Sequence, residues 1–376
     1  MRSAMTRLAL LPFAFAAGAV ALAAAPATTL KDAFADHFTV GAALNTQIIV
    51  QPEHPARALV KRHFNSVTAA NAMKWGPFNP EPGVHVFEHA DALVAFAEAN
   101  GMQVIGHTLF WHQQTPSWVF QDEAGAPISR EALLKRMRER VRVVAQRYGT
   151  RVHLWDVVNE AIEDDGSPRK SNWYRVLGDD FVPEAFRIAG EELPTSVQLI
   201  YNDYSMFQPG RRAAVVKMIH DLRARGLRID GVGLQGHWGL DFPKLEDAEA
   251  SIVAFAEAGV RVHITELDVD VLPRSPDMFG ADLNKRAQLS PENNPYTAGL
   301  PAEMQEKLAR RYAEIFALFV KHADKIDRVT FWGVTDGDSW LNGFPVRGRT
   351  NHPLLFARAN QPKPALDAVL GVAAGR

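Results

Sequence analysis

The sequence predicts an α/β fold, a single-domain (β/α)8 TIM barrel, and three observations carry that prediction. Eight short apolar runs alternate with helical patterns, no glycine-rich phosphate loop interrupts them, and polar side chains with chemical capacity close nearly every run. An open doubly wound sheet would fit the alternation, but it would gather its chemistry at one switch point rather than around a ring.

The elements follow in order. Thr39–Asn45 (TVGAALN) reads as strand one, Pro55–His63 as a short helix and Ser66–Ala69 as strand two. Ala90–Ala99 places Leu93, Val94 and Phe96 on one face and stops at Asn100-Gly101, directly before strand three, Gln103–His107. Arg130–Tyr148 is a long amphipathic helix with Leu133, Leu134, Met137, Val141 and Val144 at helical spacing, and it leads into strand four, Val152–Val158. Strand five is Gln198–Asn202, followed by helix Arg211–Arg225. Strand six is Gly231–Gln235, followed by helix Asp247–Ala258. Strand seven, Arg261–Glu266, is separated from helix Glu303–His322 by Asp270–Leu300, a Pro- and Asn-rich segment that reads as an active-site loop. Arg328–Trp332 is strand eight, and a helix near Pro364–Leu370 closes the chain.

The 376 residues are 47% hydrophobic and 22% charged, the balance of a folded soluble chain. Met1–Ala27 sets Arg2 and Arg7 ahead of an apolar run, Leu8–Leu22, and ends in small residues, so residues 1–27 read as a secretory signal peptide and residues 28–376 as the single barrel domain. The expected location is secreted or periplasmic. Without Arg2 and Arg7 the 41 basic residues become 39 against 43 acidic, a net charge of −4, which favours neither nucleic acid nor an anionic membrane as partner. There is no cysteine, which excludes disulfides and thiolate metal sites. A monomer is expected.

If the barrel reading holds, chemistry collects where the strands end. Strand two ends in Asn71 and Lys74, and strand three in His107, Trp111, His112 and Gln114. Strand four ends in Asn159 and Glu160, and strand five in Asn202 and Asp203. Strand six gives Gln235, His237 and Trp238, strand seven Glu266 and Asp268, and strand eight Trp332, Asp336 and Trp340. A single Asn-Glu pair after a strand is also what a helix N-cap looks like. A second carboxylate in the same setting changes the balance: Glu160 and Glu266 each close an apolar strand, and two carboxylates across a barrel mouth point to glycoside hydrolysis. Trp111, Trp332 and Trp340 can stack on sugar rings, and the amides, His and Lys can hold hydroxyls. A metal hydrolase would draw on His107, His112, His237, Asp203 and the two glutamates, but no local chelate spacing is present, so neither metal nor cofactor is expected.

The strings FNSVTAANAMKW, GHTLFWHQQTPSW, WDVVNEA, YNDY, GVGLQGHW, VHITELDV and VTFWGVTDGDSWL together resemble glycoside hydrolase family 10, the endo-β-1,4-xylanases, from about Thr39 to Leu370. The resemblance implies cleavage of xylan or xylo-oligosaccharides with retention, Glu160 serving as general acid/base and Glu266 as nucleophile. It also implies that Asn159 contacts the 2-hydroxyl of the sugar under attack, with Lys74, His107, Gln235 and Trp332 around it. His237 would bond to Glu266 and be oriented by Asp268, while Asn71, Gln114 and Trp340 would hold the next sugar. Gln114 and Trp340 would crowd a hydroxymethyl group and so favour xylose over glucose.

Retention requires two carboxyl groups roughly 5–5.5 Å apart with divergent pKa values, Glu266 ionised and Glu160 protonated at the start. One departure stands out: Ala70 occupies the place where the family usually has Glu, which implies weaker binding of a distal sugar. A same-fold hydrolase of another β-glycan or of short oligosaccharides, and a non-catalytic sugar-binding protein, are the competing readings.

Overall fold

The computed structural model describes residues 28–274 and 286–375. Eight parallel strands form the barrel: β1 (Thr39–Leu44), β2 (Ser66–Ala69), β3 (Gln103–Gly106), β4 (Leu154–Asn159), β5 (Gln198–Asp203), β6 (Gly231–Leu234), β7 (Arg261–Asp270) and β8 (Ile326–Phe331). Each pairs with its sequence neighbour, and β8 pairs with both β7 and β1, which closes the ring. Closure leaves no free edge, and every strand is buried on both faces, hence the short Val-, Ile- and Ala-rich runs rather than a polar alternation.

The outer layer is α1 (Ala56–His63), α2 (Glu88–Ala99), α3 (Arg130–Tyr148), α4 (Phe181–Glu192), α5 (Pro209–Ala224), α6 (Leu245–Glu257), α7 (Ala302–Lys321) and α8 (Pro364–Ala373). Local chemistry sets the ends. In α3 the Ser129 hydroxyl accepts from the Ala132 N–H at 3.2 Å, and Gly149, at φ 50°, ends the helix in a conformation that costs residues with a Cβ. Leu133, Met137, Val141 and Val144 of this helix are fully buried, each contributing roughly 1.5–3 kcal/mol by leaving water.

The order of the eight barrel strands matches the sequence expectation, while several short elements, among them a helix at Asn172–Leu177, and some strand ends differ from it. Helix α4 was not anticipated; it fills the crossover between β4 and β5, and its buried Phe181, Ala185, Phe186, Ile188 and Ala189 pack inward. Strand β4 starts and ends later than predicted and takes in Asn159, while β7 runs on to Asp270. Of the predicted loop, residues 275–285 lie outside the described residues, as does the predicted signal segment Met1–Ala27. No described helix is long and apolar enough to cross a membrane.

Candidate active site

A cleft of about 440 Å³ opens at the carboxyl ends of the strands. Glu160 reaches it by an abrupt turn. Strand β4 holds its register against β5 as far as the Asn159–Asn202 pair, and Glu160 follows with φ 59°, a left-handed backbone that a residue with a side chain adopts only under constraint. The constraint is visible on both sides of the residue. Its N–H donates to the Asn202 carbonyl at 2.9 Å, its carbonyl accepts from Arg169 Nε at 2.8 Å, and the next N–H donates to the Tyr201 hydroxyl at 3.0 Å.

The Glu160 carboxyl is 4% exposed. Burial pushes it up to about 7, and the charges of Asp203 and Glu266 add to the rise. Two donors oppose that rise by favouring the anion, Gln235 Nε2 at 3.0 Å and Trp111 Nε1 at 2.8 Å. Asp203 lies one layer below, buried and ion-paired with Arg211, which also reaches Asp164.

Glu266 stands where β7 passes the floor of the cleft, and its environment has the opposite sign. Burial again disfavours the anion, but the His237 hydrogen bond and the charges of His107, His237 and Lys74 outweigh it and hold this carboxyl below its ordinary value. His237 belongs to a short strand, His237–Gly239, that pairs with Asp268–Asp270, so the register itself sets the imidazole between Glu266 and Asp268. Its Nε2 lies 3.1 Å from Glu266 Oε2 and its Nδ1 3.1 Å from Asp268 Oδ1. Burial would lower this imidazole, yet Asp268 and Glu266 raise it to about 9, so it is cationic at neutral pH. Asp268 is held in turn by Trp340 Nε1 at 2.7 Å.

A chain of amides links the two carboxylates. Gln235 Nε2 donates to both Glu160 Oε1 and Asn159 Oδ1, and Asn202 Nδ2 donates to both Asn159 Oδ1 and Glu266 Oε1. Asn202 is fixed by Thr265 Oγ1, which donates to its Oδ1 at 2.6 Å, and Gly233 makes the room: a Cβ there would come 2.3 Å from that same oxygen. On the far wall Lys74 Nζ donates to Asn71 Oδ1 at 3.1 Å and lies 4.7 Å from the Trp111 ring centroid. Burial lowers Lys74 to about 8 despite both glutamates, which still leaves it largely charged at pH 7.

All the residues given a role in the site line this one cleft except Asp268, which stands behind His237, whereas of the other strand-end residues Asp203 is paired with Arg211, Asp336 lies 3.0 Å from Lys363 Nζ and Trp238 packs against Phe319. His112 sits at its edge, with Nδ1 4.0 Å from Glu160 Oε2. Asn71 and Gln114 are exposed at the rim, Gln114 Nε2 donating to Asn71 Oδ1 at 3.3 Å, and Trp332 packs edge-on against His107 with centroids 5.2 Å apart. Sequence reasoning left three residues without a role. Asn202 closes an apolar strand just as Asn159 does, and that shared pattern was the available signal. Asp156, whose Oδ2 lies 2.7 Å from His107 Nδ1, is an acid inside the apolar run WDVV, a burial that demands a partner. Arg286, a third, lines the cleft and carried no pattern at all. Among the described residues no group of three or more His, Asp or Glu is placed to hold a metal ion.

A closed parallel barrel whose mouth sets two buried carboxyls of opposed acidity among tryptophans, amides and a lysine defines a glycoside hydrolase of the (β/α)8 class. Comparison with known proteins gives the family. Residues 29–372 match "Glycosyl hydrolase family 10". Endo-1,4-beta-xylanase A of Xylanibacter ruminicola is 44% identical over 342 residues, 91% of this chain and 92% of that protein, and an endo-1,4-beta-xylanase of Geobacillus stearothermophilus is 41% identical over 92% of this chain and 98% of that one. Among solved structures, a GH10 endoxylanase from a sugarcane soil metagenome superposes with a TM-score of 0.89 at 46% identity, covering 91% of this chain and 99% of that one. The chain belongs to glycoside hydrolase family 10.

Proposed function

We propose that this protein is an endo-1,4-β-xylanase that cleaves internal xylosidic bonds with retention of configuration. The observation that carries the mechanism is the opposed acidity of the two glutamates in one cleft: Glu160 is buried and pushed up to about 7, whereas Glu266 is held below its ordinary value by a cationic His237. The ionised Glu266 attacks the anomeric carbon while Glu160 gives its proton to the departing glycosidic oxygen, leaving a glycosyl ester on Glu266. Formation of that ester removes the Glu266 charge that had helped keep Glu160 protonated, so Glu160 becomes the base that takes a proton from water. The hydroxide equivalent displaces Glu266 and restores both residues. The reaction uses protein side chains and water throughout and requires no cofactor.

The positioning groups follow from the hydrogen bonds. Asn159, fixed through Asn202 and Gln235, is offered as the contact to the 2-hydroxyl, and Lys74, His107 and Trp332 complete that subsite. Asn71, Gln114 and Trp340 take the next sugar, and Trp111 both walls the site and holds Glu160. The names of the relatives support xylan as substrate. The Arg2/Arg7-led apolar segment supports export, with the mature chain acting outside the cytoplasm; a reporter fused after residue 27 should leave the cytoplasm, and retention of the reporter inside would contradict export.

The deciding experiment follows the hydrolysis of xylohexaose by proton NMR and product sizing. Internal cleavage with the β-anomer appearing first is expected. First release of the α-anomer would overturn retention, and failure to cut an undecorated xylan chain would overturn the substrate assignment.

A further inference from the structure

Arg286 stands at the lip of the cleft, on the segment that follows β7. Its place is fixed by its neighbours. The Ala287 N–H donates to the Pro345 carbonyl at 3.1 Å in a parallel bridge with Val346, so the backbone beside Arg286 is pinned to the loop after β8. One guanidinium nitrogen donates to the Gly343 carbonyl at 3.1 Å, and the group lies 5.3 Å from the Phe344 ring centroid. Phe344 stacks on Trp340, centroids 4.6 Å apart and planes 11° from parallel. Trp340 is the residue that holds Asp268 behind His237. A cation is thus built onto the same ledge that supports the nucleophile.

Among the described residues, Arg286 has no carboxylate partner. Nearby Arg274 and Arg349 both pair with Asp270. Asp338, in the same wall as Arg286, already has its Oδ1 accepting from Asn45 Nδ2 at 3.2 Å and its Oδ2 from Thr335 at 2.7 Å. An exposed arginine on an ordinary surface is simply hydrated, but this one lines a substrate cleft and, among the described residues, makes one hydrogen bond with its five N–H groups. A chain of neutral xylose units offers only hydroxyls. A guanidinium adds most when the ligand brings a planar carboxylate that it can grip through two N–H groups.

We propose that Arg286 is a specificity residue that reads a uronic acid side group on the xylan chain. The proposal rests on the xylanase reading above and deepens it by naming the decoration. Its test compares kcat/KM for three substrates: linear xylotetraose, the same oligomer bearing one glucuronic acid branch, and that branched oligomer with its carboxyl reduced to the alcohol. For the Arg286→Ala variant we expect a loss of roughly fivefold or more on the acidic substrate, mostly in KM, with the other two within about twofold. Arg286→Lys should fall between, and raised salt should reduce the acidic substrate's advantage in the unaltered protein. Equal losses on all three substrates, or no loss on the acidic one, would overturn the proposal. If the unaltered protein fails to cut even the linear oligomer, the xylanase reading falls first, and the proposal with it.

Discussion

The β4 side and the β7 side of the cleft hold the same functional group in opposite conditions. Both carboxyls are buried, and burial drives both toward the neutral form. The difference lies in what stands behind each. Glu160 is backed by Asp203, an acid, and its donors are neutral, an amide and an indole. Glu266 is backed by a His237–Asp268 pair whose imidazole is cationic, with Lys74 adding further positive charge. Burial is the main cause of the rise at Glu160, and the second layer of residues decides that Glu266, equally buried, goes the other way.

The largest test of that contrast is removal of Glu266. Glu266→Ala should lower turnover of xylan and of activated aryl xylobiosides alike by several orders of magnitude, because in the proposed mechanism its ionised carboxylate is the group that attacks the anomeric carbon. Glu160→Ala should be comparably damaging on xylan, yet it should largely spare the first step with an aryl substrate whose leaving group needs no proton. A pre-steady-state burst of phenol would record that difference. Equal loss of the burst in both variants would erase the distinction between the two sides.

His237→Asn addresses the β7 side directly. Without the cationic imidazole the Glu266 carboxyl should rise, so the acidic limb of the kcat/KM profile moves to higher pH, with activity roughly ten- to a hundredfold lower. The basic limb should stay near pH 7, where Glu160 loses its proton. Trp111→Phe addresses the β4 side and is the milder change among the activity tests. It removes a donor that favours the Glu160 anion, so the basic limb should move upward by a few tenths of a pH unit, and a downward shift would contradict the assignment.

Stability gives the smallest and most independent signal. A carboxyl that titrates near 7 in the folded chain and at 4.5 when unfolded prefers the proton when folded, so it costs stability as pH rises from 4.5 to 7. Glu160→Gln removes that cost. Its unfolding free energy should exceed that of the unaltered protein by an amount that grows across this window and levels off above it, reaching on the order of 3 kcal/mol, with a melting temperature that rises in step. A difference that does not vary with pH would show that Glu160 is not perturbed.

Much of this contrast was legible in the chain itself. Apolar strands that end in Asn159-Glu160 and Glu266 point to a mouth, because a buried parallel strand has no other reason to finish in a carboxylate. The aromatic and amide residues at the other strand ends follow the same logic. Second-layer partners were harder to read: Asp156 and Asn202 are polar residues within or closing strands, and only the fold shows that one faces His107 and the other bridges Asn159 to Glu266. Helix α4 escaped notice because Pro183 interrupts its pattern and Gly190 sits near its end, although proline is tolerated in a first turn. Arg286 lies in an irregular segment where periodicity carries no information.

The division of labour between the two glutamates is tested most directly by trapping the intermediate. An activated 2-fluoro-xylobioside should inactivate the protein with one glycosyl unit bound, and mass spectrometry of the digested protein should place that unit on Glu266, with Glu160 unmodified. A label on Glu160, or turnover of the reagent to the α-anomer with no label on either residue, would contradict the assignment.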